Sequence, residues 1–289
     1  MNKISALPVL LLLLFSCSKA VQQENRIMVT IEPQRYFAEQ LVDSLFLVKS
    51  LVPAGTSPET YDPTPNQMAE LAHSKAYFCI GPIGFENAWI DKLKKNFPQV
   101  NFFDNSEGIQ FIASGALHRH EGNRQYTIHS GVDPHSWNSP REAQKIVRNM
   151  YEALLAIDPE NEPVYTVNLQ NLSDKIKEID EKTALILKQS SQKAFIIYHP
   201  ALTYFARDYG LTQYCIETDG KEPSPEQLKT LIETAKEQNI KTIFIQQEFD
   251  RKNAAVIAQE TGCKLFVINP LSYNWGEEII RIAKALSDE

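Results

Sequence analysis

The sequence predicts an α/β fold of two lobes, each built on a parallel-type sheet, joined by one long backbone helix. Short apolar runs typical of buried strands alternate with helical patterns before residue 157 and again after residue 190, which indicates βαβ units. Between them, residues 162–189 form one amphipathic stretch that contains no glycine and, beyond residue 163, no proline. At 1.5 Å per residue such a helix would be about 40 Å long, which is enough to span two lobes.

The N-terminus predicts an export signal ahead of this fold. Met1-Asn2-Lys3 is a short positive segment, and the apolar run after it has about ten residues, fewer than the roughly 20 of a membrane-spanning helix. The string LFSC at residues 14–17 resembles the lipobox of bacterial lipoproteins, which implies cleavage after residue 16 and a lipid on Cys17. A plain secretory signal is the alternative, but its cleavage site favours a small residue where Leu14 stands.

The elements are expected in the following order. We predict a signal peptide at residues 1–16, a tether at 17–25, a first lobe at 26–161, the connecting helix at 162–190 and a second lobe at 191–289. In the first lobe we expect strands at 27–31, 46–52 and 76–80, weaker strands at 101–103 and 110–112, and helices at 34–45, 66–72 and 140–156. In the second lobe we expect strands at 194–198, 214–217, 242–246 and 265–268, and helices at 203–209, 225–238 and 251–261.

Charge and cysteine content exclude several classes of protein. The formal net charge is -7, so the chain has no basic signature of nucleic-acid binding. After Cys17, the remaining cysteines are Cys79, Cys215 and Cys263, an odd number without close spacing, which argues against a disulfide framework and against a thiolate metal site. Each lies in or beside an apolar run, so we expect them to be small hydrophobic core residues.

Three strings contain residues that can bind a ligand. His199 follows an apolar strand in FIIYHPA, and ligands of parallel sheets bind beyond the carboxyl ends of strands. His135 follows a proline in DPHSW, in a loop that opens a helix. The third string, PAGTSPETYDPTP at residues 53–65, is a proline-rich loop between a strand and a helix. Taken singly, each has an ordinary structural explanation, either a capped histidine or a connecting loop.

Taken together, the strings resemble the metal-binding family of ABC transporter substrate-binding proteins, the zinc- and manganese-specific cluster. The family loops read SPHTYEPTP, DPHVWLDP and FHDAFGYFARYGL, and here they read SPETYDPTP, DPHSWNSP and YHPALTYFARDYGL. GPIGFENAWIDKL at residues 81–93 is a further family-like string. The resemblance covers nearly the whole mature chain. It implies a metal site in the cleft between the lobes of a protein that captures a metal and delivers it to a membrane permease.

The resemblance also implies a ligand set. His135 and His199 stand where the family has metal ligands, whereas the histidine of the first family loop is replaced by Glu59. Two imidazoles and a carboxylate, completed by water or another side chain, suit Zn²⁺, whereas Mn²⁺ prefers more oxygen ligands and is the less expected metal. The candidates for the fourth position are Gln246, Glu248 and Asn269.

A second group of histidines precedes His135 in a polar segment. His118, His120 and His129 resemble a shortened form of the mobile His-rich loop of zinc-binding family members, which implies an auxiliary role in collecting metal. The alternative is that these side chains are simply solvated.

The remaining expectations concern activity, partners and location. The sequence contains no HExxH string, no nucleophile elbow and no glycine-rich phosphate loop, so we do not expect an enzyme. We expect a monomer at the periplasm or cell surface, held at a bacterial membrane by the lipid on Cys17, with an ABC permease as its partner. The alternatives are a manganese or iron carrier of the same fold, and a surface adhesin or scaffold that has lost transport.

Overall fold

The computed structural model describes residues 24–113, 131–217 and 220–287. The predicted signal peptide, Cys17 and the three histidines at 118, 120 and 129 lie outside the described residues, and so does nearly all of the predicted tether. Within the described ranges, no helix is both long enough and apolar enough to cross a membrane.

The described residues form two parallel sheets, as the sequence predicts. Each sheet has four strands, and the two sheets share one topology. The first sheet has the order β2-β1-β3-β4 and consists of Glu24–Val29 (β1), Leu47–Ser50 (β2), Ser74–Cys79 (β3) and Asn101–Asp104 (β4). The second has the order β6-β5-β7-β8 and consists of Ala194–Ile197 (β5), Thr212–Cys215 (β6), Thr242–Gln246 (β7) and Lys264–Ile268 (β8). The central strands β5 and β7 are buried throughout, as expected where helices cover both faces of a parallel sheet.

Helices connect the strands of each sheet. In the first lobe they are Glu32–Val42 (α1), Pro65–Ala72 (α2), Gly84–Asn96 (α3) and Pro140–Ile157 (α4), and Glu162–Lys188 (α5) follows. In the second lobe they are Thr203–Tyr209 (α6), Pro225–Glu237 (α7), Lys252–Thr261 (α8) and Trp275–Ser287 (α9). Local sequence explains where two of them begin: Thr64 and Ser224 form capping boxes with the glutamines three residues later, and a proline occupies the first turn.

Helix α5 joins the lobes through a shared core. It packs against α1 and α4 of the first lobe and against α9 of the second. One hydrophobic cluster extends from the first sheet through α5 to the second sheet. At the junction, the rings of Phe37 and Trp275 meet edge to face with their centroids 5.1 Å apart. This continuous core packs the two lobes against each other.

The structure differs from the sequence prediction at three places. The strand predicted at 110–112 is wrong, because this segment leaves the first sheet: the amide of Ile112 donates to the hydroxyl of Tyr204 in the other lobe, and only Ala113 pairs, with Val132 in an isolated bridge. Helices α3 and α9 were not predicted. A glycine, an asparagine and a tryptophan weaken the helical pattern of α3, but α9 buries Ile279, Ile282, Ala283 and Leu286 at helical spacing, a signal that could have identified it.

Candidate metal centre

Glu59, His135 and His199 meet in the cleft between the two lobes. One ligand atom from each side chain lies within 4.8 Å of the others. The two Nε2 atoms are 3.2 Å apart, and Oε1 of Glu59 is 3.9 Å from Nε2 of His135. The structure therefore brings the three residues together, and their role as metal ligands stays a prediction.

His135 is held by contacts from both lobes. It directly precedes a short 3-10 helix, Ser136–Asn138, its side chain is buried, and its ring lies beside the indole of Trp137. The Trp137 indole N–H donates to the carbonyl of Pro270 at 2.9 Å, and the Trp275 indole N–H donates to the carbonyl of Trp137 at 2.7 Å. These two bonds fix the loop of the first lobe against the second lobe.

His199 lies at the carboxyl edge of the second sheet. It follows β5 by two residues. In this sheet β6 lies on one side of β5 and β7 on the other, so β5 borders the topological switch point, where open α/β sheets bind ligands. Gln246, the last residue of β7, holds the backbone of His199: its Nε2 donates to the carbonyl at 2.7 Å, and its Oε1 accepts from the amide at 3.3 Å. Both ends of the Gln246 amide are therefore engaged with His199.

A carboxylate orients each imidazole. Nδ1 of His135 donates to Asp133 at 2.8 Å, and Nδ1 of His199 donates to Glu217 at 2.6 Å. Because an ionised carboxylate only accepts, these bonds keep the proton on Nδ1 and leave Nε2 of each ring to face the cleft, as in histidines that bind metals. Sequence reasoning missed Glu217. The available signal was a carboxylate just beyond β6, the strand next to β5.

The first of these pairs is electrostatically coupled. Burial would lower the pKa of His135, but the charge and hydrogen bond of Asp133 and the charges of Glu59 and Glu217 outweigh burial and raise that pKa. Burial would likewise raise the pKa of Asp133, but His135 and a hydrogen bond from Thr203 lower it. A cation between the two Nε2 atoms, whether a proton or a metal, is therefore favoured by the surrounding carboxylates.

Glu59 presents its two carboxylate oxygens differently. Oε2 accepts a hydrogen bond from the amide of Gly84 at 3.1 Å. Oε1 is shielded from solvent and accepts no hydrogen bond from any described residue. The oxygen that faces the histidines is thus the one that is available to a metal.

The three candidates for a fourth ligand have different surroundings. Gln246 is engaged with the backbone of His199, and Oδ1 of Asn269 accepts from the amide of Leu271 at 3.2 Å. Glu248 lines the cleft, and burial raises the pKa of its carboxyl while the two histidines partly oppose that shift. Glu248 is therefore the most available of the three, and the identity of the fourth ligand stays a prediction. The cleft is lined by Ser57, Pro58, Glu59, His135, Trp137, His199, Ala201, Gln246, Glu248, Phe249, Pro270 and Leu271.

Comparison with known protein families gives a consistent result. A sequence model of the family described as zinc-uptake complex component A, periplasmic, matches residues 27–281. The high-affinity zinc uptake system protein ZnuA of Bacillus subtilis strain 168 is 30% identical over 251 residues, covering 85% of this chain and 78% of the relative. The zinc-binding lipoprotein AdcA of Streptococcus pneumoniae strain R6 is 29% identical over 289 residues, which is 94% of this chain but only 56% of AdcA.

Solved structures show the same fold. A crystal structure of ZnuA has a TM-score of 0.83 and 34% sequence identity, covering 91% of this chain and 97% of that one. The laminin-binding adhesin Lmb of Streptococcus agalactiae has a TM-score of 0.77 at 24% identity, covering 90% of this chain and 98% of the adhesin. At that identity the likeness to the adhesin concerns the fold alone.

Proposed function

The chain belongs to the zinc-uptake component A family of ABC transporter substrate-binding proteins, and on that basis we propose that it captures zinc outside the cytoplasm and delivers it to a membrane permease. One geometric observation carries the proposal: one ligand atom each of Glu59, His135 and His199 converges from the two lobes within 4.8 Å. Nε2 of His135 lies 3.2 Å from Nε2 of His199 and 3.9 Å from Oε1 of Glu59. The metal is cargo, so the site has to bind and release an ion and has no reaction to catalyse.

We assign these three atoms as ligands of the zinc ion. Zinc is bound in proteins by imidazole nitrogen and carboxylate oxygen, typically with four ligands in a tetrahedron. Water or the carboxylate of Glu248 would complete the set, since Glu248 lines the same cleft. The carboxylates of Asp133 and Glu217 would act as outer-shell groups that orient the rings and increase their basicity.

A manganese or iron carrier is the second candidate. Glu59 in place of the family histidine, with Glu248 nearby, adds oxygen donors, which Mn²⁺ prefers. The two imidazoles favour zinc, and the named zinc-uptake relatives point the same way. The adhesin alternative has support only from a likeness in fold.

The two lobes are proposed to supply different ligands. The first lobe (26–161) would supply Glu59 and His135, the second lobe (191–289) would supply His199, and the helix at 162–190 would hold them in register. Because the hydrophobic core is continuous across the lobes, release is expected to depend on rearrangement of the loops around the site, with little lobe opening. We propose that the protein acts as a monomer, anchored to a bacterial membrane through the lipid on Cys17.

Calorimetric titration of the metal-free protein with Zn²⁺, and then with Mn²⁺, tests this function. We expect one tight zinc site that is lost in the His135→Ala, His199→Ala double variant and kept in a His73→Ala control. His73 lies at the end of α2, where its ring is exposed and contacts the carbonyl of Ala69. Absence of zinc binding, or an unchanged site in the double variant, would contradict the proposal. If the protein bound manganese more tightly than zinc, the proposed cargo would be manganese.

A further inference from the structure

The N-terminal part of helix α3 holds the loop that carries Glu59. The amide of Phe85 donates to the carbonyl of Pro58 at 2.8 Å, and the amide of Gly84 donates to Oε2 of Glu59 at 3.1 Å. One turn further along, the indole N–H of Trp89 donates to Asp62 at 3.0 Å. Three donors of one helix therefore bind residues 58–62, and the helix terminus also favours the negative charge of Glu59.

Gly84 leaves no room for a side chain at this contact. A Cβ atom at position 84 would lie closer than 3.0 Å to three atoms of Glu59: the carbonyl oxygen, the α-carbon and Oε2. Two of these atoms belong to the backbone, so a rotation of the Glu59 side chain could not relieve the clash. The glycine therefore permits the close approach of the loop to the helix.

The first helical turn of α3 is itself fixed to the first sheet. The buried carboxyl group of Glu86 accepts hydrogen bonds from the hydroxyl of Thr30, the amide of Ile80 at 2.8 Å and the amide of Gly81 at 3.1 Å. Burial raises the pKa of Glu86 to about 7, although these hydrogen bonds act in the opposite direction. The helix terminus that holds Glu59 is thus tied to the carboxyl ends of β1 and β3, and has little freedom to follow the loop.

The consequence is that Glu59 offers one oxygen to the cleft. Oε2 is directed at the amide of Gly84, whereas Oε1, shielded and without a hydrogen bond from any described residue, lies 3.9 Å from Nε2 of His135. A carboxylate that binds through one oxygen suits the four ligands of zinc. Mn²⁺ favours a site with more oxygen ligands, which a freely turning carboxylate could supply by binding through both atoms.

We infer that Gly84 is a positioning residue that sets metal selectivity: by its amide and its lack of a side chain it fixes Glu59 as a one-oxygen ligand. This inference rests on the proposed function of zinc capture. No part of Gly84 itself needs to touch the metal.

The test compares Gly84→Ala with Gly276→Ala for zinc and manganese affinity, each measured with a competing chelator. Gly276 lies in α9, where a Cβ atom would come closer than 3.0 Å to Cδ1 of Ile179, so that variant introduces a clash that does not involve the loop of Glu59. We expect Gly84→Ala to lose about 10–100-fold in zinc affinity, the range typical of outer-shell substitutions. Manganese affinity should fall less, so the ratio of zinc affinity to manganese affinity should fall. Gly276→Ala should keep both affinities.

A double-variant cycle then asks whether Gly84 acts through Glu59. In a Glu59→Ala background, adding Gly84→Ala should cause no further loss of zinc affinity. The inference would be overturned if Gly84→Ala lowered zinc affinity equally with and without Glu59. It would also be overturned if Gly84→Ala lowered zinc and manganese affinity equally, or left both affinities at the parental values. If the parent chain binds no zinc, the proposed function itself fails, which is a different result.

Circular dichroism verifies that each variant is folded. If Gly84→Ala does not fold, Glu59→Asp tests the same contact by changing the loop residue. A carboxylate shorter by one methylene cannot reach both the Gly84 amide and the histidines. A lower zinc-to-manganese ratio is expected for Glu59→Asp, and a parental ratio would overturn the inference.

Discussion

The two lobes have the same sheet topology but hold the proposed metal ligands in different ways. In the second lobe, His199 lies two residues after β5. The residues that fix it are Gln246, at the end of β7, and Glu217, two residues beyond β6. In the first lobe, Glu59 and His135 stand on loops, held by helix α3 and by the indole of Trp137. The second-lobe ligand is thus dictated by the sheet edge, whereas the first-lobe ligands depend on how loops pack. A change of ligand, such as glutamate for the family histidine, falls on the loop side.

Removing the ligands should give the largest effects. His199→Ala and His135→Ala are each expected to lower zinc affinity by more than about a hundredfold, beyond the range typical of outer-shell changes. Glu59→Ala should cost less than either, because the Glu59 side chain as a whole is more exposed than either imidazole and water can take its place. Competition with a chelator of known affinity measures all three. A loss for Glu59→Ala equal to that for His199→Ala would remove the difference between the lobes.

The outer-shell carboxylates should come next. Asp133→Asn and Glu217→Gln each replace the acceptor of a ligand's Nδ1–H by an amide, so the ring loses part of its basicity and its fixed orientation. Zinc affinity should fall by about 10–100-fold in both variants. Asp158→Asn is a suitable control, because this buried carboxylate accepts hydrogen bonds from Asn161 and Tyr165 just beyond the C-terminal end of α4, whereas His135 precedes the N-terminal end. Parental affinity in Glu217→Gln would show that the sheet edge does not position His199.

The pH dependence should run in opposite directions for binding and for stability. The pKa of His135 is raised above its ordinary value near 6.5, so protons compete with zinc below that pKa, and affinity should fall about tenfold per pH unit for one displaced proton. In the metal-free protein, a raised histidine pKa contributes stability that is present at low pH and is lost as the pH rises through the folded value. Melting temperatures with and without zinc should therefore converge from pH 8 to pH 6. If the difference between the melting temperatures with and without zinc stayed constant over this pH range, as it should in His135→Ala, titration of His135 would not be the cause of the pH dependence.

Gln246 should give the smallest effect on binding. Gln246→Ala removes two hydrogen bonds to the backbone of His199 at a buried position, which should lower the free energy of unfolding by about 1–3 kcal/mol. Zinc affinity is expected to fall by less than in Glu217→Gln, because the imidazole keeps its Nδ1 partner. A loss as large as that of His199→Ala would instead make Gln246 a ligand. Denaturant unfolding and chelator competition measure the two quantities.

The sequence predicted much of the fold because most elements follow its periodicity. The all-buried strands at 194–197 and 242–246 and the long helix α5 are clear patterns, whereas α3, with its glycine, asparagine and tryptophan, is not. The three proposed ligands came from family-like strings. Glu217 lies outside those strings, and its role depends on which strands are neighbours. Gly84 lies in the string GPIGFENAWIDKL, but its role depends on how closely a loop approaches a helix, which the string does not reveal.

Amide side chains show a further limit of the sequence. Gln246 and Asn269 were both candidates for the fourth ligand on the sequence alone. In the structure, Gln246 bonds to the backbone of His199 and Asn269 closes a turn at Leu271. Nothing in the residue type distinguishes an amide that faces a ligand from one that faces the backbone.

The most direct test of the central claim is a crystal structure of the zinc-loaded protein with anomalous diffraction data collected at the zinc edge. We predict one strong peak in the cleft, at about 2.0 Å from Nε2 of both His135 and His199 and bonded to one oxygen of Glu59. A zinc ion bound elsewhere, or bound in the cleft without both histidines, would contradict the account.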